Sequence, residues 1–232
     1  MNRTKLLFSV SVAAIAVVML SLRIAQPQKK KYMYSYLALG DSYTIGEQVP
    51  TADNFPHQAV ALLRKKHIEV ADPVIIATTG WTTDELANSI MEHNLKEKFS
   101  FVTLLIGVNN QYRGRSVDNY RQEYEQLLNT AIGYAGGKPE HVFVLSIPDW
   151  GVTPFAHDRD RAQIAKDIDA YNDAKKEITL AHKCHYIYIT ESTRSNGTNP
   201  DYLVADDLHP SGREYAIWAE QLADAVEKEF KQ

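Results

Sequence analysis

The chain has 232 residues, 44% of them hydrophobic and 23% charged, which suffices for one sizeable core and argues against two. A net charge of −4 supplies no basic field for a nucleic-acid partner. The single cysteine, Cys184, excludes an internal disulfide and any multi-cysteine metal site.

The amino-terminal stretch stands apart from the rest. Arg3 and Lys5 precede the charge-free run Leu6 to Leu22, and basic residues resume at Arg23 and continue through Lys29, Lys30 and Lys31. A basic flank followed by an apolar stretch is the layout of an export signal, and snorkelling flanks would let a run of this length anchor in a bilayer. No clear small-residue cleavage site follows, so residues 1–25 are expected to act as a signal peptide or as a membrane anchor. The lysine run after residues 6–22 argues against translocation by the positive-inside rule. The signal-like layout argues for it, and export to a periplasmic or extracellular space is the favoured expectation. Residues 26–33 read as a solvated linker and residues 34–232 as the folded domain.

In that domain, strand and helix patterns alternate five times. "YSYLALG" predicts a first strand, and "FPHQAVALLRKKH" a helix with apolar residues at helical spacing. "PVIIATTG" is a second strand. "TTDELANSIMEH" is a helix that Thr82 or Thr83 can cap, with Asp84 and Glu85 in its first turn. "FSFVTLLIGVNN" is a third strand, followed by the amphipathic "SVDNYRQEYEQLLNTAIGYAGG" with a Gly-Gly stop. "HVFVLSIPDWG" and "CHYIYIT" are the fourth and fifth strands, separated by the helix "RDRAQIAKDIDAYNDAKKEITLAHK". A polar segment, residues 191–210, leads to the last helix, "SGREYAIWAEQLADAVEKEF". Near-continuous apolar strands joined by helices imply an α/β fold with a parallel sheet covered on both faces. Such sheets place ligands at the carboxyl ends of their strands.

The residues just after the strands therefore carry the chemistry. They are Gly40-Asp41-Ser42, Gly80, Asn109 with Asn110, Asp149 with Trp150, and finally Asp206, Asp207 and His209. Acyl transfer needs a hydroxyl, a base that removes its proton, an acid that holds the base in one tautomer, and fixed donors for an oxyanion. Ser42, His209 and Asp206 fit the first three roles. The backbone N–H groups of Ser42 and Gly80 and the side-chain amide of Asn109 fit the fourth. Asp207 is next in order, but its position points it elsewhere.

Each piece has a plainer reading. Gly-Asp-Ser is an ordinary turn and cap, Asn-Asn a turn, and Asp206 to His209 an Asx-turn before Pro210. Their joint order at successive strand ends favours the catalytic reading. Trp150 and Phe155, with Trp81 and Tyr112, are candidates for substrate walls. Asp149 and His157 form a loosely spaced rival acid and base, and Ser146 is a fallback nucleophile. His182, Cys184 and His185 lack the second half of a metal site.

"GDSYT", "TTGWTT", "IGVNN" and "DDLHPSG", in that order, resemble the four sequence blocks of the SGNH hydrolases, also called the GDSL esterase/lipase family. The likeness runs from residue 34 to the last helix. It implies a flavodoxin-like three-layer α/β/α sandwich with strand order 2-1-3-4-5. It also implies ester hydrolysis without metal or organic cofactor. The family's nucleophile maps to Ser42, its oxyanion residues to Gly80 and Asn109, and its Asp-x-x-His pair to Asp206 and His209. Two positions depart: Tyr43 stands where the family name has leucine, and Asn110 where the family has aspartate, removing a fixed negative charge beside the site. No Gly-x-Ser-x-Gly elbow is present, which disfavours the α/β-hydrolase alternative. The expected substrate is a small ester or acylated carbohydrate with a short acyl group. An O-acyltransferase on the same residues, or a non-catalytic carbohydrate- or lipid-binding module on the same fold, are the alternatives.

Overall fold

The computed structural model describes residues 33–231. The expected signal or anchor over residues 1–25, and the linker as far as residue 32, lie outside the described residues. Among the described residues no helix is long and apolar enough to cross a membrane.

In chain order, β1 (Tyr36–Gly40) leads into a one-turn helix, α1 (Ser42–Ile45), and then α2 (Phe55–Lys65). Next come β2 (Val74–Ala77), α3 (Thr83–His93), β3 (Phe101–Leu105), the short α4 (Val108–Tyr112) and α5 (Val117–Tyr134). The chain continues through β4 (Val142–Leu145), α6 (Arg161–Ala181), β5 (His185–Ile187), α7 (Thr190–Asn196) and α8 (Gly212–Phe230). The five strands pair in parallel in the order β2-β1-β3-β4-β5, with Leu39 of β1 between Ile76 of β2 and Leu104 of β3.

Every residue of β1, β3 and β4 is buried, whereas the edge strands β2 and β5 are only partly so. That is why the inner strands read as near-continuous apolar runs: helices cover them on both sides. Tyr36 is tolerated in β1 because its ring stacks on Phe101 and its hydroxyl lies 2.8 Å from Thr103 Oγ1. Right-handed crossovers place α2 and α8 together on one face, with α3, α5 and α6 on the other. This is the three-layer sandwich the sequence predicts. The chain leaves β1 toward β2 and returns to β3 on the opposite side. The carboxyl ends of β1 and β3 thus flank the crevice where doubly wound sheets bind ligands.

Three short helices depart from the sequence reading. α1 and α4 follow strands directly, α4 taking Val108 to Asn110 out of the expected third strand, and α7 starts at the last residue of the expected fifth strand and runs into the polar segment. The sequence of α7, "TESTRSN", has poor helix propensity. Tertiary contacts hold it: the buried Glu214 of α8 accepts from Ser192 Oγ at 2.5 Å and from Asn196 Nδ2 at 2.8 Å, and also from Trp218 Nε1 at 2.9 Å.

Candidate active site

The abrupt end of β1 has a steric cause. A Cβ on Gly40 would lie 2.1 Å from Thr44 Oγ1 and 2.4 Å from the Leu105 carbonyl oxygen, so α1 can fold against the strand end only over a glycine. Asp41 then caps α1, its carboxylate accepting from the Tyr43 N–H at 3.1 Å. Ser42 is the first residue of the helix and is delivered to the carboxyl rim of the sheet. Gly, Asp and Ser thus have three different jobs: space, cap and presentation.

The other side of the rim is built by α8. Trp218 is fully buried against Tyr43, Phe55 and Tyr215, and Ser211 caps the helix. This anchors the segment just before it, where Leu203 bridges to Pro210 and the Val204 N–H donates to the His209 carbonyl. The structure brings His209 Nε2 to 2.9 Å from Ser42 Oγ, and His209 Nδ1 to 2.7 Å from Asp206 Oδ2. Asp206 Oδ1 accepts the N–H groups of Leu208 and His209, each at 2.9 Å, and Oδ2 also accepts from Gln48 Nε2 at 3.0 Å. Burial would raise the Asp206 pKa, but the His209 N–H, its imidazole and the Leu208 N–H outweigh it and hold the carboxyl below the usual range. An ionised Asp206 can only accept, so the imidazole proton sits on Nδ1 and leaves Nε2 as acceptor for the Ser42 hydroxyl. Asp207 takes a left-handed conformation with φ 59° and is exposed; its N–H donates to the Val204 carbonyl and its carbonyl accepts the Phe155 N–H.

Gly80 and Asn109 line the same cleft as Ser42 and His209. Gly80 has φ +84°, and a Cβ there would meet nothing nearer than Arg113 Nη2 at 3.9 Å. The positive φ favours glycine at this position. Asn109 Nδ2 donates one proton to the Trp81 carbonyl at 2.9 Å, fixing the amide plane and leaving the second proton for another acceptor. Asn110 points inward: Nδ2 donates to Thr83 Oγ1 at 2.6 Å and Oδ1 accepts from the Thr83 N–H at 3.1 Å. Thr83, its hydroxyl lone pair occupied, donates onward to the Glu123 carboxylate. The negative charge that an aspartate would bring at 110 is thus carried one step further out, by Glu123.

The cleft has a volume of about 210 Å³, and its apolar walls are Val108, Tyr112, Trp150, Phe155 and Leu208. Trp150 is buried and held by Gln111 Oε1, 2.8 Å from its Nε1, whereas Tyr112 and Phe155 are half exposed on either side of it. Trp81 packs against the core instead. The rival acid Asp149 is buried and bound to Arg194 Nε at 2.8 Å and to the Gly151 N–H at 2.9 Å, and His157 is exposed. Ser146, just past β4, is fully buried, with its hydroxyl bonded to Thr190 Oγ1 and to the Ile189 N–H, and does not line the cleft. His182 Nδ1 donates to the Ile178 carbonyl at 2.9 Å, and His185 pairs with Glu229. Sequence reasoning missed Gln48 and Arg113, whose contacts with Asp206 and the Gly80 carbonyl join residues far apart in the chain and leave no local pattern.

A second buried pair lies beneath the nucleophile. Lys175 of α6 is fully buried, with Nζ donating to the Ile106 carbonyl at 3.2 Å. Burial pushes its pKa down to about 7 against the pull of Asp41. Burial pushes the Asp41 carboxyl up to about 7, against the Tyr43 N–H and Lys175. From about pH 4 to 7 the unfolded aspartate is ionised while the folded one keeps its proton, so stability falls as pH rises. From about pH 7 to 10 the unfolded lysine keeps a proton that the folded one has lost, so stability rises. The pair therefore makes the fold least stable near neutrality. Asp41→Asn/Lys175→Met, which keeps the α1 cap and an apolar chain of similar length, is expected to be more stable at pH 7 by on the order of 1 kcal/mol, with a flatter profile. Urea unfolding from pH 5 to 9 measures this, and a variant less stable than the parent at pH 7 would refute it.

The sequence model of the GDSL-like lipase/acylhydrolase family matches residues 38–217. No curated protein sequence matches the chain. Solved structures share the fold. A lipase/acylhydrolase from Enterococcus faecalis is 22% identical with a TM-score of 0.67, covering 84% of this chain and 96% of its own. TesA is 16% identical with a TM-score of 0.67, covering 84% and 99%. Axe2, an acetylxylan esterase from Geobacillus stearothermophilus, is 16% identical with a TM-score of 0.66, covering 84% and 94%. With the family pattern spanning most of the folded part, this chain belongs to the GDSL-like lipase/acylhydrolase family and is a carboxylic ester hydrolase.

Proposed function

We propose that the chain is a serine esterase that removes short acyl groups, O-acetyl groups on carbohydrate being the favoured substrates, through an acyl-enzyme on Ser42. The observation that carries this reading is the unbroken relay from Ser42 Oγ through His209 to Asp206, with 2.9 and 2.7 Å steps, opening on a cleft lined by Gly80 and Asn109.

Ser42 Oγ attacks the ester carbonyl as its proton passes to His209 Nε2. The carbonyl oxygen becomes an oxyanion, received by the N–H groups of Ser42 and Gly80 and by the second Nδ2 proton of Asn109. Asp206 stabilises the imidazolium and is not itself protonated. His209 returns the proton to the departing alkoxide, which leaves as the alcohol. Water then attacks the acyl-enzyme, His209 takes its proton, and the acid is released as Ser42 regains a hydrogen. A sugar hydroxyl in place of that water would give acyl transfer through the same steps.

The cleft volume of about 210 Å³ is below the range of roughly 300–1,000 Å³ usual for drug-sized ligands, which supports a short acyl group. An acetylxylan esterase among the structural neighbours is consistent with this. A pure binding module has no need for a connected hydroxyl, imidazole and carboxylate. Export belongs to the same reading, supported by the charge-free Leu6 to Leu22 run between basic flanks.

The test is hydrolysis of p-nitrophenyl esters from acetate to octanoate, and of acetylated xylan. Turnover is expected, falling with acyl length; no hydrolysis of any ester by folded protein would defeat the esterase reading. Asn109→Ala should lower kcat on acetate by about 10²–10³-fold with little change in KM. A loss under threefold would remove Asn109 from the oxyanion site.

A further inference from the structure

The loop Thr79–Trp81 belongs to no helix or strand, yet the proposed chemistry needs the Gly80 N–H held in one direction. Gly80 sits at a backbone angle open to glycine, and no side chain packs where its Cβ would be. Within the loop itself the Trp81 N–H closes a turn on the Thr78 carbonyl at 3.3 Å.

Polar contacts supply what packing does not. Arg113 Nη2 donates to the Gly80 carbonyl at 2.6 Å, and Nη1 pairs with Glu85 Oε1 at 3.1 Å. Glu85 is itself fixed, its other oxygen accepting the Thr82 N–H at 2.8 Å in the capping box of α3. Asn109 holds the next carbonyl, that of Trp81, and the Thr79 hydroxyl donates to Glu47. Arg113 also closes the turn that carries Asn109: its N–H donates to the Asn109 carbonyl at 3.0 Å. One turn of chain therefore carries both an oxyanion amide and the guanidinium that fixes the loop bearing the other donor.

Resting on the esterase reading, we infer that Arg113 is a positioning residue: it clamps the Gly80 carbonyl so that the Gly80 N–H stays aimed at the oxyanion. The guanidinium fork suits this task, because one nitrogen serves the carbonyl while another serves Glu85. An arginine half exposed on the surface is worth little to stability, so the clamp should show in rate rather than in melting. Displacing a donor by a fraction of an ångström loses transition-state binding, with little effect on the ground state.

The experiment compares the 232-residue chain with Arg113→Met and Arg113→Lys on p-nitrophenyl acetate, reading kcat and KM separately. It also reads the inactivation rate by diethyl p-nitrophenyl phosphate, whose phosphoryl oxygen enters the oxyanion site. Arg113→Met is expected to lose about 10- to 100-fold in kcat and a similar factor in inactivation, with KM within threefold and Tm nearly unchanged. Arg113→Lys, which keeps one charged donor, should recover most of the loss. Unchanged kcat in Arg113→Met overturns the inference, as does a raised KM at constant kcat, which would make Arg113 a substrate contact. If Arg113→Met does not fold, Arg113→Gln, whose shorter side chain cannot serve the Gly80 carbonyl and Glu85 together, decides: a several-fold fall in kcat at constant KM supports the clamp and parental kcat overturns it. A parent chain without esterase activity would defeat the functional reading itself, and the clamp with it; a parent that turns over beside an equally fast Arg113→Met defeats the clamp alone.

Discussion

Ser42→Ala is expected to lower kcat on p-nitrophenyl acetate by about 10⁶-fold, the scale seen when the nucleophile of a hydroxyl–imidazole–carboxylate unit is removed. Without Oγ there is no acyl-enzyme, and only the oxyanion donors and substrate binding are left. The fold should not notice. Asp41, not Ser42, caps α1, and the lost hydrogen bond to His209 is one of modest net value. Adding His209→Ala to Ser42→Ala should cost almost nothing more, because the two act as one unit. Stopped-assay kcat with a thermal melt checks both parts. Activity within a hundredfold of the parent in a folded Ser42→Ala protein would mean another nucleophile.

Asp206→Asn should cost about 10⁴-fold in kcat through the tautomer of His209. The asparagine carbonyl can still accept the Leu208 and His209 N–H groups, so the turn survives. Its amide then donates to His209 Nδ1, which must become an acceptor, and the imidazole proton moves to Nε2, where it can no longer receive the Ser42 proton. The substitution has a separate signature in stability. Because the folded Asp206 pKa is depressed, its contribution is present above the unfolded value near 4 and is lost as pH falls through the folded pKa. The parent should therefore be more stable than Asp206→Asn at pH 7, with the gap closing below about pH 4. Equal stability at both pH values would remove the ionised carboxylate from the account.

Much of this site is legible in the sequence because a parallel sheet writes its rim in a fixed order. Buried inner strands such as Leu37 to Leu39 and Phe101 to Leu105 are near-continuous apolar runs, and each leads to a glycine or amide that turns the chain over the same edge. Ser42, Gly80, Asn109 and His209 can be found by reading past those ends. The same reasoning fails where tertiary contact overrides local preference. The Asn-rich α4 looks like a turn, and α7 looks like a polar loop until the buried Glu214 is known. Lys175 lies in the charged stretch "DAKKE" and reads as solvated. Only its helical phase with Ile168, Tyr171 and Ile178 puts it on the buried face, and nothing local pairs it with Asp41. Arg113 and Gln48 are invisible for the same reason: their partners are 33 and 158 residues away.

The reaction of the 232-residue chain with diethyl p-nitrophenyl phosphate, followed by peptide mass mapping, tests the central claim most directly. The account predicts one diethylphosphoryl group per chain, carried by Ser42, with loss of esterase activity in step with labelling and no label on Ser42→Ala. Label on another residue such as Ser146 while Ser42 stays free, or full inhibition of a Ser42→Ala protein that still turns over ester, would contradict it.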